Sequence, residues 1–363
     1  MARGAGGEAA PGARPGPALP GLAEPTLAAA YDSGRSATGT PSRRRIELFR
    51  AQKRVHAGSL IISLFGDLLV PRGGRVWLGS LIHLLAPLGL NERLVRTTVF
   101  RLVREQWLRS EALGRRSDYL LTPAGQRRCA DAARQIYAAH APEWDRRWRL
   151  ILVFGQLAQK ERDALRRALF WRGFGAVGGE CFVHPGADLA GTCDALIADG
   201  LAQLLGAVVP FLAADASLAG TASNADLVAR AWDLRELAEA YADFVGAYAP
   251  LLAQLRGQGE LAIDEVGEGD ENDQDAFLIR LLLIHDYRRL LLRDPQLPGV
   301  LLPAGWPGQP ARALCKELYR RLLTPSERHL DRLLSTADGR CPARHARFHS
   351  RFAVDDPLRL AAP

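Results

Sequence analysis

The sequence predicts an α+β chain of three consecutive units, and three observations predict it. Between Trp77 and Thr122 an apolar helix, a turn at Gly89, an arginine-rich helix and a short basic hairpin follow one another. From Trp148 to Val183 the pattern is strand, helix, strand, and from Asp226 onward it is mainly helical. A chain of 363 residues with 48% hydrophobic content has enough apolar surface for two or three cores.

The first 42 residues are rich in Ala, Gly and Pro and lack periodicity, so a disordered extension is expected over residues 1–45. Arg43, Arg44, Arg45, Arg50, Lys53 and Arg54 then form a basic approach to the first helix. That run fits either an arm against phosphates or a solvated helix start. Within residues 46–140, Asn91 is a good N-cap for the helix that follows it. Val95, Val99, Leu102 and Val103 fall in one apolar stripe, with Arg93, Thr97, Arg101 and Arg104 opposite and Arg96 beside them. A packed apolar face backed by free guanidinium groups suits a DNA major groove, where Arg reaches guanine O6 and N7 together. The turn Gly114-Arg115-Arg116-Ser117-Asp118 completes the pattern of a winged helix-turn-helix, with Arg115 and Arg116 expected at a phosphate backbone.

Charge distribution supports that reading over a merely solvated helix face. The chain carries a formal net charge of +7, yet residues 41–150 hold 21 Arg/Lys against 9 Asp/Glu, and residues 151–363 hold 23 against 28. Positive charge is concentrated where the helix pair lies, as an electrostatic footprint for nucleic acid requires.

Thr122 caps a further helix from Pro123 to Ala138. Over residues 145–225, Trp148 to Phe154 reads as a buried strand, Gln159 to Trp171 as a helix, and Glu180 to Val183 as a second strand, which together suggest a small α+β sandwich. Gly173-x-Gly175 and Gly178-Gly179 read as turns. Over residues 226–336, Asp233 caps a helix from Leu234 to about Arg256. An acidic, glycine-rich linker follows from Gly257 to Gln274, then helices at Asp275–Arg293, Ala311–Leu323 and Ser326–Leu334, and a frayed tail over 337–363.

Five scattered cysteines, Cys129, Cys181, Cys193, Cys315 and Cys341, read as reduced thiols in a cytoplasm. The longest apolar run is broken by Asp199, Gln203, Gly206 and Pro210, so no membrane span is expected. Cys181, His184 and Cys193, and Cys341, His345 and His349, have metal-binding side chains but lack the paired cysteines that complete a zinc site; no metal and no cofactor is expected.

Four blocks resemble the PaaX family of transcriptional regulators: Ser59–Asp67, Pro71–Gly74, Val76–Ile82 and Leu85–Arg93. The likeness continues through Val95–Val103 and Leu121–Gly125 and returns at Leu282–Arg289 and Arg293–Pro298. Gln106 departs from the pattern, standing where the family usually has glycine, and this implies a different exit from the arginine-rich helix. The resemblance implies a ferredoxin-like, Cas2-like middle domain and an all-helical C-terminal domain. It also implies repression of phenylacetate catabolism genes, relieved by phenylacetyl-coenzyme A; regulation of another acyl-CoA or aromatic pathway is the alternative. Some Cas2 proteins are nucleases that use an aspartate at the end of the first strand. Here that strand ends Phe154-Gly155-Gln156, which leaves a metal ion no carboxylate, so no enzyme is expected.

A single winged helix makes few base contacts, so a homodimer on a two-fold operator of double-stranded DNA is expected. In the C-terminal part His285, Arg289 and Arg293 recur at i, i+4 and i+8. They form either a row for the phosphates of an acyl-coenzyme A effector or a solvated face paired with Asp286 and Asp294.

Overall fold

In the computed structural model, residues 40–215, 221–257, 270–345 and 351–352 are described. The expected extension over residues 1–39, most of the acidic linker, His349 and the last residues of the tail lie outside them. The expected extension gives way to structure earlier than residue 45. Helix α1 spans Pro41–Arg50, with the Thr40 hydroxyl accepting from the Arg43 amide and Pro41 at its first position, where a missing N–H costs nothing.

Helix α2 (Ala57–Leu64) runs into a π-turn (Phe65–Leu69) and a short 3-10 turn (Val70–Arg72). Strand β1 (Arg75–Trp77) leads to α3 (Leu78–Leu85), and the chain reverses at Gly89, whose positive φ of 82° suits glycine. Helix α4 (Glu92–Arg104) follows, then the hairpin of β2 (Leu108–Leu113) and β3 (Arg116–Leu121). β1 pairs antiparallel with β3, so the sheet order is β1-β3-β2. Helix α5 (Pro123–Ile136) is capped by the Thr122 hydroxyl, as its sequence predicts.

The middle unit has more strands than its periodicity reveals. β4 (Arg147–Val153), α6 (Gln159–Phe170), β5 (Gly175–Val177), β6 (Cys181–His184), α7 (Leu189–Ala198) and β7 (Val208–Ala214) form a βαββαβ chain. Its sheet order is β5-β6-β4-β7 with every neighbouring pair antiparallel. That order is the ferredoxin-like arrangement. β5 escapes notice because it is three residues long between glycine turns, and β7 because Pro210 interrupts its apolar run.

The last unit comprises α8 (Asn224–Ala231), α9 (Arg235–Gly257), α10 (Asp270–Leu291) and α11 (Gly308–Leu333). Two boundaries differ from the sequence expectation. Residues 270–274 are helical rather than linker, because Asp273 is buried under Arg328 and Arg332. The two helices expected on either side of Pro325 are one, since Ser326 and Glu327 are buried against α10 and hold the second half in line across the missing hydrogen bond.

One hydrophobic core runs through the first and last units together, from Ile46 in α1 through the helices of the head to Leu330 in α11, while the middle sheet keeps its own core around Ile151, Leu169 and Phe182. α10 is the shared wall, packed on α11, α2, α1 and α5. At this junction lies a buried polar network. Asp67, 1% exposed, accepts from the Tyr137 hydroxyl (2.5 Å), the Tyr319 hydroxyl (2.9 Å), Arg280 Nε (3.0 Å) and Arg351. Arg280 continues to Glu327, which also takes Arg72. The two guanidinium groups hold the Asp67 carboxylate below its usual range against the burial that would raise it. A tail frayed from residue 337 is not what forms. The Ala337 amide donates to Asp118, the His345 amide to the Pro71 carbonyl, and Phe352 is wholly buried between the rings of Tyr137 and Tyr319.

Candidate nucleic-acid interface

The head presents α4 as its most basic exposed element. Asn91 Oδ1 accepts from the Leu94 amide at 2.9 Å and starts the helix where the sequence places it. Val95, Thr98, Val99 and Leu102 are buried against α2 and α3, and Val103 is half-buried; these contacts fix which face turns outward. Arg93, Arg96, Thr97, Arg101 and Arg104 are all exposed. Arg96 pairs with Glu92 one turn earlier at 2.7 Å, and Arg101 lies 3.7 Å from Glu105. Arg93 and Arg104 pair with no carboxylate among the described residues, so the uncompensated charge stands in the first and last turns of this face. Thr97 donates its hydroxyl to the Arg93 carbonyl at 2.8 Å.

The exit from α4 corrects the sequence expectation at Gln106. Gln106 itself takes the left-handed conformation, φ 58°, and the Schellman bonds form: the Gln106 amide donates to the Val103 carbonyl (3.1 Å) and the Trp107 amide to the Leu102 carbonyl (2.9 Å). The exit is therefore the one glycine would give, held at the cost of a side chain where L-residues are disfavoured. Thr122 closes the junction by donating to the Gln106 carbonyl at 2.7 Å.

The hairpin tip is also tighter than the five-residue turn expected. Only Gly114 and Arg115 form the turn, and β3 begins at Arg116. Arg115 is exposed at the tip, whereas the Arg116 guanidinium lies over the Trp77 indole, 4.6 Å from the ring centroid. Trp77 gave no functional signal in the sequence, yet it connects β1 to the hairpin residue Arg116. The other residue missed is Phe100. It lies 66% exposed among the arginines of α4, and its place on that face follows from helical spacing alone.

The basic run expected to precede the first helix lies mostly within α1 and is not a free arm. Arg45 is buried and bound to Asp286, Arg43 reaches Glu271 and Asp275, and Arg50 Nε donates to the Pro87 carbonyl at 2.7 Å.

The row His285, Arg289, Arg293 is not brought together. His285 is 4% exposed in the α2–α10 interface with Nδ1 3.2 Å from the Ser63 hydroxyl, and burial among Arg45, Arg288 and Arg289 lowers its pKa to about 3. Arg293 is exposed and faces Glu236 at 3.4 Å. Nor does Asp286 pair along its own helix, since Arg45 and the Tyr248 hydroxyl occupy it. Arg293 instead borders a cleft of about 230 Å³ between the middle sheet and the C-terminal helices, walled by Trp171, Phe174 and Trp232.

His184 accepts from the Gly186 amide and packs at a tilt against Phe174, and burial lowers its pKa to about 4. Among the described residues no three His, Cys, Asp or Glu side chains gather as metal ligands, and no helix is long and apolar enough to cross a membrane.

Three family descriptions match the chain in succession: PaaX-like protein at residues 56–125, PaaX protein central Cas2-like domain at 141–223, and PaaX-like protein C-terminal domain at 232–332. A basic head, a Cas2-like sheet and a helical C-terminal part joined in this order define a class of transcription regulator. The chain is 39% identical over 301 residues to the transcriptional repressor PaaX of Escherichia coli (strain K12), an alignment covering 82% of this chain and 90% of that protein. It belongs to the PaaX family. Among solved structures, the uncharacterized protein Rv0674 from Mycobacterium tuberculosis aligns with a TM-score of 0.44 and 22% identity, over 69% of this chain and 90% of its own.

Proposed function

We propose that this chain is a cytoplasmic repressor of phenylacetate catabolism genes whose head is a winged helix-turn-helix. α3 and α4 are the helix pair, α4 the recognition helix and β2–β3 the wing. The observation that carries the reading is the outward face of α4, where Arg93 and Arg104 stand uncompensated on a helix whose opposite face is locked into the core. Arg93, Thr97 and Arg101 meet base edges, Arg96 and Arg104 flank them, and Arg115 and Arg116 meet phosphates. Two copies read a two-fold operator, because one short helix spans few base pairs and a pair multiplies specificity without new chemistry.

The effector in this reading is phenylacetyl-coenzyme A. The separation of His285 from Arg293 argues against a phosphate-binding row along α10 and favours the aromatic cleft that Arg293 borders. A ligand releases DNA only by preferring the conformation that does not bind it, and a cleft lined by both the middle unit and the C-terminal helices is a place where a ligand would bear on both.

The test is footprinting on the promoter of the chain's own gene and on neighbouring operons, with and without phenylacetyl-coenzyme A, phenylacetate, coenzyme A and other acyl-CoA thioesters. Protection of an inverted repeat, lost with the phenylacetyl thioester and retained with free phenylacetate, is the expected result. Release by a different thioester would move the chain to another pathway. Protection of a single unrepeated site by a monomer in light scattering would overturn the dimer.

A further inference from the structure

Phe100 belongs to no hydrophobic cluster among the described residues. Its ring is 66% exposed, while Val95, Thr98, Val99 and Leu102 supply all the fully buried side chains of α4. At about 100° per residue, Phe100 falls within some 20 to 40° of both Arg93 and Arg104 and roughly 150° from the centre of the buried stripe. An aromatic ring therefore sits within the basic face, turned away from the core. A single exposed ring is ordinary on a protein surface; what distinguishes this one is its place among arginines on the face of α4 turned away from the core.

Resting on the DNA-binding reading above, we propose that Phe100 is a specificity-determining residue that selects thymine through its C5-methyl group in the major groove. Three observations fix the occupant as duplex DNA. The guanidinium groups of Arg93 and Arg104 on either side of the ring complement phosphates and guanine edges, and have no carboxylate partner among the described residues. The ring is carried on a helix of 13 residues that stands clear of the core on this side, which the width of a major groove admits. And the thymine methyl is the apolar group that a major groove exposes, so a ring flanked by arginines would read a step combining thymine with guanine. Arginine alone cannot tell thymine from uracil; a packed ring can.

The test uses the full chain. Duplexes enriched from a random pool define the bound sequence, and each thymine in it is then replaced by deoxyuridine, which removes one methyl and leaves every hydrogen-bonding edge intact. Burying a methyl contributes a factor of about four in affinity. The expected result is one or two positions per half-site at which deoxyuridine weakens the wild-type chain by about four-fold. Phe100→Ala should bind thymine and uracil duplexes alike, whereas Arg104→Ala should bind both more weakly and still distinguish them. Because Phe100 lies outside the core, its variant should melt with the wild type. Equal wild-type affinity for thymine and uracil at every position overturns the inference while leaving DNA binding intact, as does a Phe100→Ala chain that still discriminates. A change of oligomeric state in Phe100→Ala would assign the ring to a protein contact instead. Failure of the pool to enrich any sequence would overturn the DNA-binding reading and this inference with it.

Discussion

Acid should loosen the joint between the head and the C-terminal helices through His285. The imidazole lies between α2 and α10, facing the Ser63 hydroxyl, with Arg45 on α1 and Arg288 and Arg289 on α10 opposing its protonation and only Asp286 favouring it. Burial and these cations lower its pKa from the ordinary 6.5 to about 3. The folded chain therefore keeps it neutral where the unfolded chain already binds a proton. Stability from this group is complete above pH 6.5 and is lost as the pH falls from 6.5 toward 3, at about 1.4 kcal/mol per pH unit. Between pH 7 and pH 5 the loss from His285 alone comes to about 2 kcal/mol. Asp67 and Asp286 are held below the usual carboxylate range, so the stability they contribute is complete above pH 5 and stays constant over this interval; His184, lowered to about 4, acts in the same direction as His285. Urea unfolding of the wild type and of His285→Gln, followed by tryptophan fluorescence at pH 7 and pH 5 at one ionic strength, isolates the group. The variant should lose about 2 kcal/mol less than the wild type over this interval. Identical losses in the two proteins would refute the assignment of a neutral, buried His285.

Gln106→Gly should raise stability by roughly 0.5 to 1 kcal/mol, since relief of a left-handed non-glycine residue outweighs glycine's greater freedom in the unfolded chain; a melting temperature equal to or below that of wild type would contradict this. Arg280→Met should cost about 3 to 5 kcal/mol by leaving Asp67 and Glu327 buried with fewer partners, read as an earlier denaturation midpoint. At the DNA, Arg93→Ala should weaken cognate binding by roughly 1 to 3 kcal/mol and relax one base pair of specificity in a competition assay. Arg115→Ala should weaken all duplexes alike and reduce the slope of log affinity against log salt by about one.

Much of the head is legible in the sequence because its signals are local. Asn91 and Thr122 cap the helices they precede, and the stripe of Val95, Val99 and Leu102 is buried as its spacing requires. Local signals fail where pairing or burial comes from far along the chain. β5 and β7 are strands because β6 and β4 pair with them, not because three residues or a proline-broken run favour that state. His285 and Arg293 share a helix period but not an environment, since α2 covers one and the cleft opens beside the other.

The sequence by itself determined the three-part order, the family and the face on which the arginines of α4 stand. Each of these depends on residue identity at short spacing. Only the tertiary structure decided that the head and the last helices form one core, that Arg45 is a buried anchor rather than an arm, and that Phe352 closes the junction far from its neighbours in sequence. The charge that looks free in a list of residues is bound wherever a distant carboxylate is buried beside it, because a desolvated carboxylate such as Asp67 or Asp286 is stable only with a cation delivered to it by another element.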